Sequence, residues 1–167
     1  MNKDSLSKNN KGVSLVEIII VVAIMTIIGA TVVLSTRVAT DKHVNSCALK
    51  LASSIEQTRN LALGKQGASV RIWQNTNDYV YLQMYVNGSA YGDQVAIGRP
   101  GITINVVQGG SPAVVGPAPI EINFSRSNGS VTDAAPVSLL SVTNGRRVYD
   151  VKIDKFTGRV TSELKTA

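Results

Sequence analysis

Few residues of this chain could carry chemistry. The 167 residues include one histidine, His43, and one cysteine, Cys47. One of each argues against a Cys/His metal site and against a His-based triad. The acids are scattered without ligand spacing, and Gly109-Gly110 lacks the strand, helix and lysine of a phosphate loop. No enzymatic activity, cofactor or metal is therefore expected. Two features remain. The first is Glu17, an ionisable group inside an apolar run over residues 13–34. Such a group in a membrane span is a functional hypothesis by default; the alternative is an interfacial residue at the favoured end of a helix dipole. The second is a basic group of Arg146, Arg147, Lys152, Lys155, Arg159 and Lys165, set against Asp150, Asp154 and Glu163. Such clusters can neutralise phosphates, with DNA as the possible partner. The commoner alternative is a solvated basic strand surface, and only Tyr149 is interleaved as an aromatic.

The apolar run must position Glu17. Residues 13–34 are long enough, at about twenty, to cross a hydrocarbon core as a helix. Each central Ile, Val or Leu contributes roughly −0.3 to −0.6 kcal/mol to insertion, against about +3 for one acid. The aliphatic residues outweigh Glu17, so membrane lipid is an expected partner. Lys3, Lys8 and Lys11 outnumber Asp4 ahead of the run, which keeps that end in the cytoplasm and sends the rest of the chain outward. A conventional secretory signal would have a shorter apolar region and a small-residue cleavage site, and Val33-Leu34-Ser35 is a poor one.

The junction is more specific. A polar leader ends in Lys11-Gly12, the apolar run starts at Val13, and Glu17 is its fifth residue. This resembles the class III signal of type IV prepilins and type II secretion pseudopilins. The resemblance implies a cytoplasmic leader over residues 1–12, prepilin peptidase cleavage between Gly12 and Val13, N-methylation at Val13 and an assembly role for Glu17. Val13 departs from the Phe usual at the first mature position.

Beyond the span the helix is expected to continue, giving one helix over residues 13–64. Val44, Ala48, Leu51, Ile55, Thr58 and Ala62 recur at four-three-four-three-four spacing and line one face. No proline precedes Pro100, and Gly64 and Gly67 offer stops. Cys47 lies beside this stripe, which favours a small buried hydrophobe over a free or intermolecular thiol. His43 reads as a solvated residue just past the membrane.

Residues 65–167 change to strand character. Residues 69–74 and 79–86 read as a hairpin, with Val80, Leu82, Met84 and Val86 inward and Tyr79, Tyr81, Gln83 and Tyr85 outward. Residues 95–97, 102–107 and 120–124 are further strands, and residues 108–119 a loop or strand-edge excursion. Residues 137–142 and 147–153 form a hairpin about Asn144-Gly145, and residues 159–164 a final strand after a turn at residues 155–158.

This layout resembles the GspH and FimT family of minor pseudopilins and pilins, through Ile120-Glu121-Ile122-Asn123-Phe124, Ser127-Asn128-Gly129 and the closing Thr157-Gly158-Arg159. The resemblance implies an α+β fold, a long N-terminal helix packed on a mainly antiparallel β-sheet domain. It implies a single-pass inner-membrane precursor, N-terminus inside, drawn into an extracytoplasmic filament. Other pilin or pseudopilin subunits and an inner-membrane assembly platform are the implied partners. Some FimT-like pilins of DNA-uptake systems bind DNA through Gly-Arg-x-Arg. Here Gly158-Arg159-Val160-Thr161 lacks the second Arg, so a DNA-binding tip pilin of a competence pilus is the alternative reading.

Overall fold

The structure, a computed structural model, describes residues 14–64 and 67–165, the side chains of residues 30–40 excepted. It divides into two compact units, Met1–Val38 and Ala39–Ala167.

A single helix, α1 (Leu15–Gly64), accounts for the first half of the order. Ser14 starts it: its carbonyl accepts the first helical bond, from the Ile18 amide at 3.1 Å, and serine suits that position. Glu17 lies in the first turn, where the exposed amide groups favour negative charge. The helix ends at Gly64, and Gly67 follows with φ +132, a backbone conformation suited to glycine.

In the second unit one stripe of α1 is fully buried. Val44, Ala48, Leu51, Ile55, Thr58 and Ala62 are all at 0 % exposure, and so is Cys47. The expected periodic face is the buried face. Thr58 satisfies its hydroxyl by donating to the Ser54 carbonyl at 2.8 Å, which makes a polar residue tolerable there.

Nine strands follow: β1 (Ala68–Gln74), β2 (Val80–Val86), β3 (Ser89–Gly98), β4 (Thr103–Gln108), β5 (Ser111–Val114), β6 (Ile120–Phe124), β7 (Val137–Thr143), β8 (Val148–Ile153) and β9 (Val160–Leu164). They form two sheets, ordered β3-β2-β1-β6 and β5-β4-β7-β8-β9, with antiparallel neighbours throughout. The helical stripe and residues from both sheets, among them Ile72, Leu82, Ile122, Ile104, Leu140 and Val151, belong to one hydrophobic core. Fully burying each such side chain contributes roughly 1.5–3 kcal/mol before entropy is counted.

Two strand expectations change. The third strand is longer than residues 95–97 because Asn87-Gly88 makes a tight turn at φ 52 and 77, the signature of a two-residue hairpin loop. Its polar, glycine-containing start is exposed, so no apolar alternation marked it. The second change is Gln83, which was expected to face outward with the tyrosines and is instead buried at 6 % exposure. The β2–β3 register shifts between Leu82 and Met84. Gln83 fills that irregularity, its Nε2 donating to the carbonyls of Gly92 at 3.0 Å, Met84 at 3.2 Å and Tyr91 at 3.3 Å. Bulged backbone leaves carbonyls without ladder partners, and the amide supplies the donors.

Candidate functional site

Gly12 and Val13, the expected cleavage and methylation positions, lie outside the described residues, as does the leader. Glu17 is described, and it is exposed in the first turn of α1. In the first unit every described side chain, residues 14–29, is exposed. Ile18 at 52 %, Ile19 at 58 %, Ile20 at 53 % and Val21 at 44 % show that the apolar surface runs all round the helix. A helix apolar on every side needs lipid or other apolar helices about it. Among the described residues no helix is long and apolar enough to cross a membrane. The described side chains of the run stop at Gly29, while the sequence continues through Thr31-Val32-Val33-Leu34.

The C-terminal basic residues are spread along β8 and its two ends. Arg146 and Arg147 sit in the β7–β8 connection and Lys155 and Arg159 in the β8–β9 connection. β8 separates them, and its six residues span roughly 17 Å at ~3.4 Å each. Two of the six are already paired. Arg147 Nε contacts Asp41 Oδ2 of α1 at 3.1 Å, and Lys152 Nζ pairs with Glu163 across β8 and β9. That pairing raises the Lys152 pKa, through the hydrogen bond first and the charge second. Lys155 Nζ lies 6.0 Å from the Phe156 ring centroid. Arg146 and Arg159 are exposed.

The closing pattern of residues 157–159 is held by backbone geometry. Asp154 Oδ1 accepts from the amides of Thr157 at 2.8 Å and Phe156 at 3.0 Å, and from the Thr157 hydroxyl at 2.9 Å. The Thr157 bonds are the main reason its pKa is lowered. Gly158 has φ +64, its amide reaches the Asp154 carbonyl at 2.7 Å, and a Cβ there would run into the Gly129 carbonyl oxygen. Arg59 of α1 packs on the same spot, so the glycines of Ser127-Asn128-Gly129 and Thr157-Gly158-Arg159 meet under one helix side chain.

Cys47 is buried, and burial pushes its thiol up to about 12. His43 is exposed on α1. It lines a cavity of about 580 Å³ together with Ser46, Lys50, Tyr79, Gly98 and Arg99. The convergence of His43 and Lys50 on Arg99 was not readable in the sequence, because it depends on where the β3–β4 turn meets α1. Outside this cavity, Trp73 and Tyr81 stack at 6.0 Å and the Arg71 guanidinium lies 4.3 Å from the Tyr85 ring centroid. The expected tyrosine stripe thus exists, partly covered by its β1 neighbours. Among the described residues no group of three or more His, Cys, Asp or Glu side chains is placed to hold a metal.

Known proteins bear on the N-terminal segment. Residues 7–33 match the family model for the prokaryotic N-terminal methylation motif, the hallmark of type IV prepilin-like proteins. Comparison with curated proteins and with solved structures returns no match. The motif supports a pilin-like or pseudopilin subunit and, in general terms only, dealings with a prepilin peptidase and pilin subunits.

Proposed function

We propose that this chain is a minor pilin or pseudopilin of the GspH/FimT kind, a structural subunit of a type IV pilus or type II secretion-like filament and not an enzyme. The observation that carries this reading is the methylation motif over residues 7–33, leading into a helix whose described residues 14–29 leave their apolar side chains uncovered. The precursor sits in the membrane by residues 13–34, with its N-terminus inside. Prepilin peptidase cuts between Gly12 and Val13, Val13 is methylated, and the assembly platform draws the subunit out. Neighbouring subunits then cover the apolar helix that lipid covered before. The second unit, with its own core, is carried on the outside.

Intact-mass measurement of the membrane-extracted full chain, from a host with prepilin peptidase, tests the reading. Loss of residues 1–12 and gain of one methyl group are expected. A mature N-terminus near Ser35 would indicate ordinary secretion and end it.

A further inference from the structure

The cavity beside α1 gathers basic side chains from separate elements. His43, Ser46 and Lys50 line it from three successive turns of the helix, and Arg99 and Tyr79 line it from the ends of β3 and β2. No acidic side chain lines it. Among the described residues neither Lys50 nor Arg99 has an ion-pair partner, whereas Arg59, Arg71, Arg147 and Lys152 each do. Gly98 on its floor packs closely over the core, where a Cβ would come within 3.0 Å of Val80 and 3.4 Å of Cys47 Sγ. An ammonium, a guanidinium, an imidazole and two hydroxyls thus border one hollow with no carboxylate to neutralise them. Donors of this kind, with both a point charge and a planar fork, suit a tetrahedral oxyanion.

We infer that this groove binds a phosphate group, with Lys50 and Arg99 supplying the charge and Ser46 and Tyr79 the neutral donors. The phosphate belongs either to an anionic phospholipid headgroup or to a free anion. The groove's chemistry holds whether or not the chain assembles into filaments, since every group in it lies in the second unit.

The full chain, purified in a neutral detergent, is titrated with inorganic phosphate against chloride at equal ionic strength. Wild type is compared with Lys50→Gln/Arg99→Gln and with Lys152→Gln/Arg159→Gln, which removes the same charge elsewhere. Phosphate affinity should fall roughly tenfold or more in the groove variant, as expected for loss of charge-assisted hydrogen bonds, and stay within twofold in the other. Tyr79→Phe, which removes one hydroxyl only, should weaken binding with an unchanged melting curve. A second arm counts lipids retained by native mass measurement after extraction from phosphatidylcholine, with and without phosphatidylglycerol. Phosphatidylglycerol retained by wild type and lost in the groove variant identifies the headgroup as the source. Phosphate binding without lipid preference identifies the free anion. The inference is overturned if wild type does not distinguish phosphate from chloride, if both double variants lose equally, or if duplex DNA is retained while phosphate and lipid are not.

Discussion

Arg59 Nε donates to the Thr157 carbonyl at 2.7 Å, tying the last turns of α1 to the turn between β8 and β9. The same guanidinium holds Glu56 Oε1 at 3.1 Å through Nη1, which fixes its direction along the helix. Gly158 and Gly129 lie beneath it because anything larger would displace either Arg59 or the Gly129 carbonyl. The closing residues are therefore a latch between helix and sheet, which accounts for their pattern without a ligand.

Gly158→Ala should destabilise by about 2–5 kcal/mol. The positive φ costs ~1–2 kcal/mol for any residue with a Cβ, and the clash adds an overpacking cost of about 1–3 kcal/mol. Gly145→Ala, at φ +82 but in open space, should lose only the first part. Urea unfolding of both variants separates the two contributions through their midpoints.

Leu51→Ala should cost about 2–5 kcal/mol, because Leu51 is fully enclosed by the core and its truncation leaves a cavity. Leu49 lies two residues away at 53 % exposure, and Leu49→Ala should change stability by no more than ~0.5 kcal/mol. Equal losses at the two positions would contradict the burial of the predicted stripe.

Cys47 gives the chain a pH dependence at the alkaline end. Burial holds its thiol protonated up to about 12, against an ordinary value of 9.0. Unfolding exposes it, so between those values the unfolded chain binds fewer protons than the folded one. The contribution is fully present below about pH 9 and declines as pH rises toward 12, with a slope of at most ~1.4 kcal/mol per pH unit. Cys47→Ala should flatten this segment of a stability-versus-pH curve. At pH 8 native Cys47 should resist alkylation and react only after denaturant is added.

The helix and most strand positions were legible because their signals are local. The stripe from Val44 to Ala62 follows one period, no proline interrupts it, and turns such as Asn144-Gly145 declare themselves. The bulge at Gln83 was not legible, since an alternating strand places that residue outward and only the β3 register brings Gly92 beneath it. The placement of the basic residues was not legible for a related reason. Residues close in sequence were divided between the two ends of β8, and Lys152 was claimed by Glu163 through a pairing no spacing reveals. The groove of Lys50 and Arg99 joins residues far apart in the chain, so composition gave no hint of it.

Glu17→Leu separates assembly from insertion. Glu17 is the one acid in the first turn of α1, among side chains that are otherwise apolar and exposed. At a membrane edge a carboxylate costs little, but in a packed filament it is expensive without a partner. Under the proposed function, cleavage before Val13 would create a positive amine four residues before Glu17 in the sequence, too near along the chain to fold back easily onto that side chain. On that reading the amine of an axially staggered neighbour would meet it, and the pair would offset two buried charges and set the register between subunits. Glu17→Leu should therefore insert at least as well as wild type, because a costly residue is replaced by a favourable one, and it should still lose residues 1–12. It should be missing from filaments, or enter them only beside wild-type subunits. Filament shear yield measured against membrane abundance for the same variant decides the matter. Normal incorporation at normal abundance would show that Glu17 is an interfacial residue with no part in assembly.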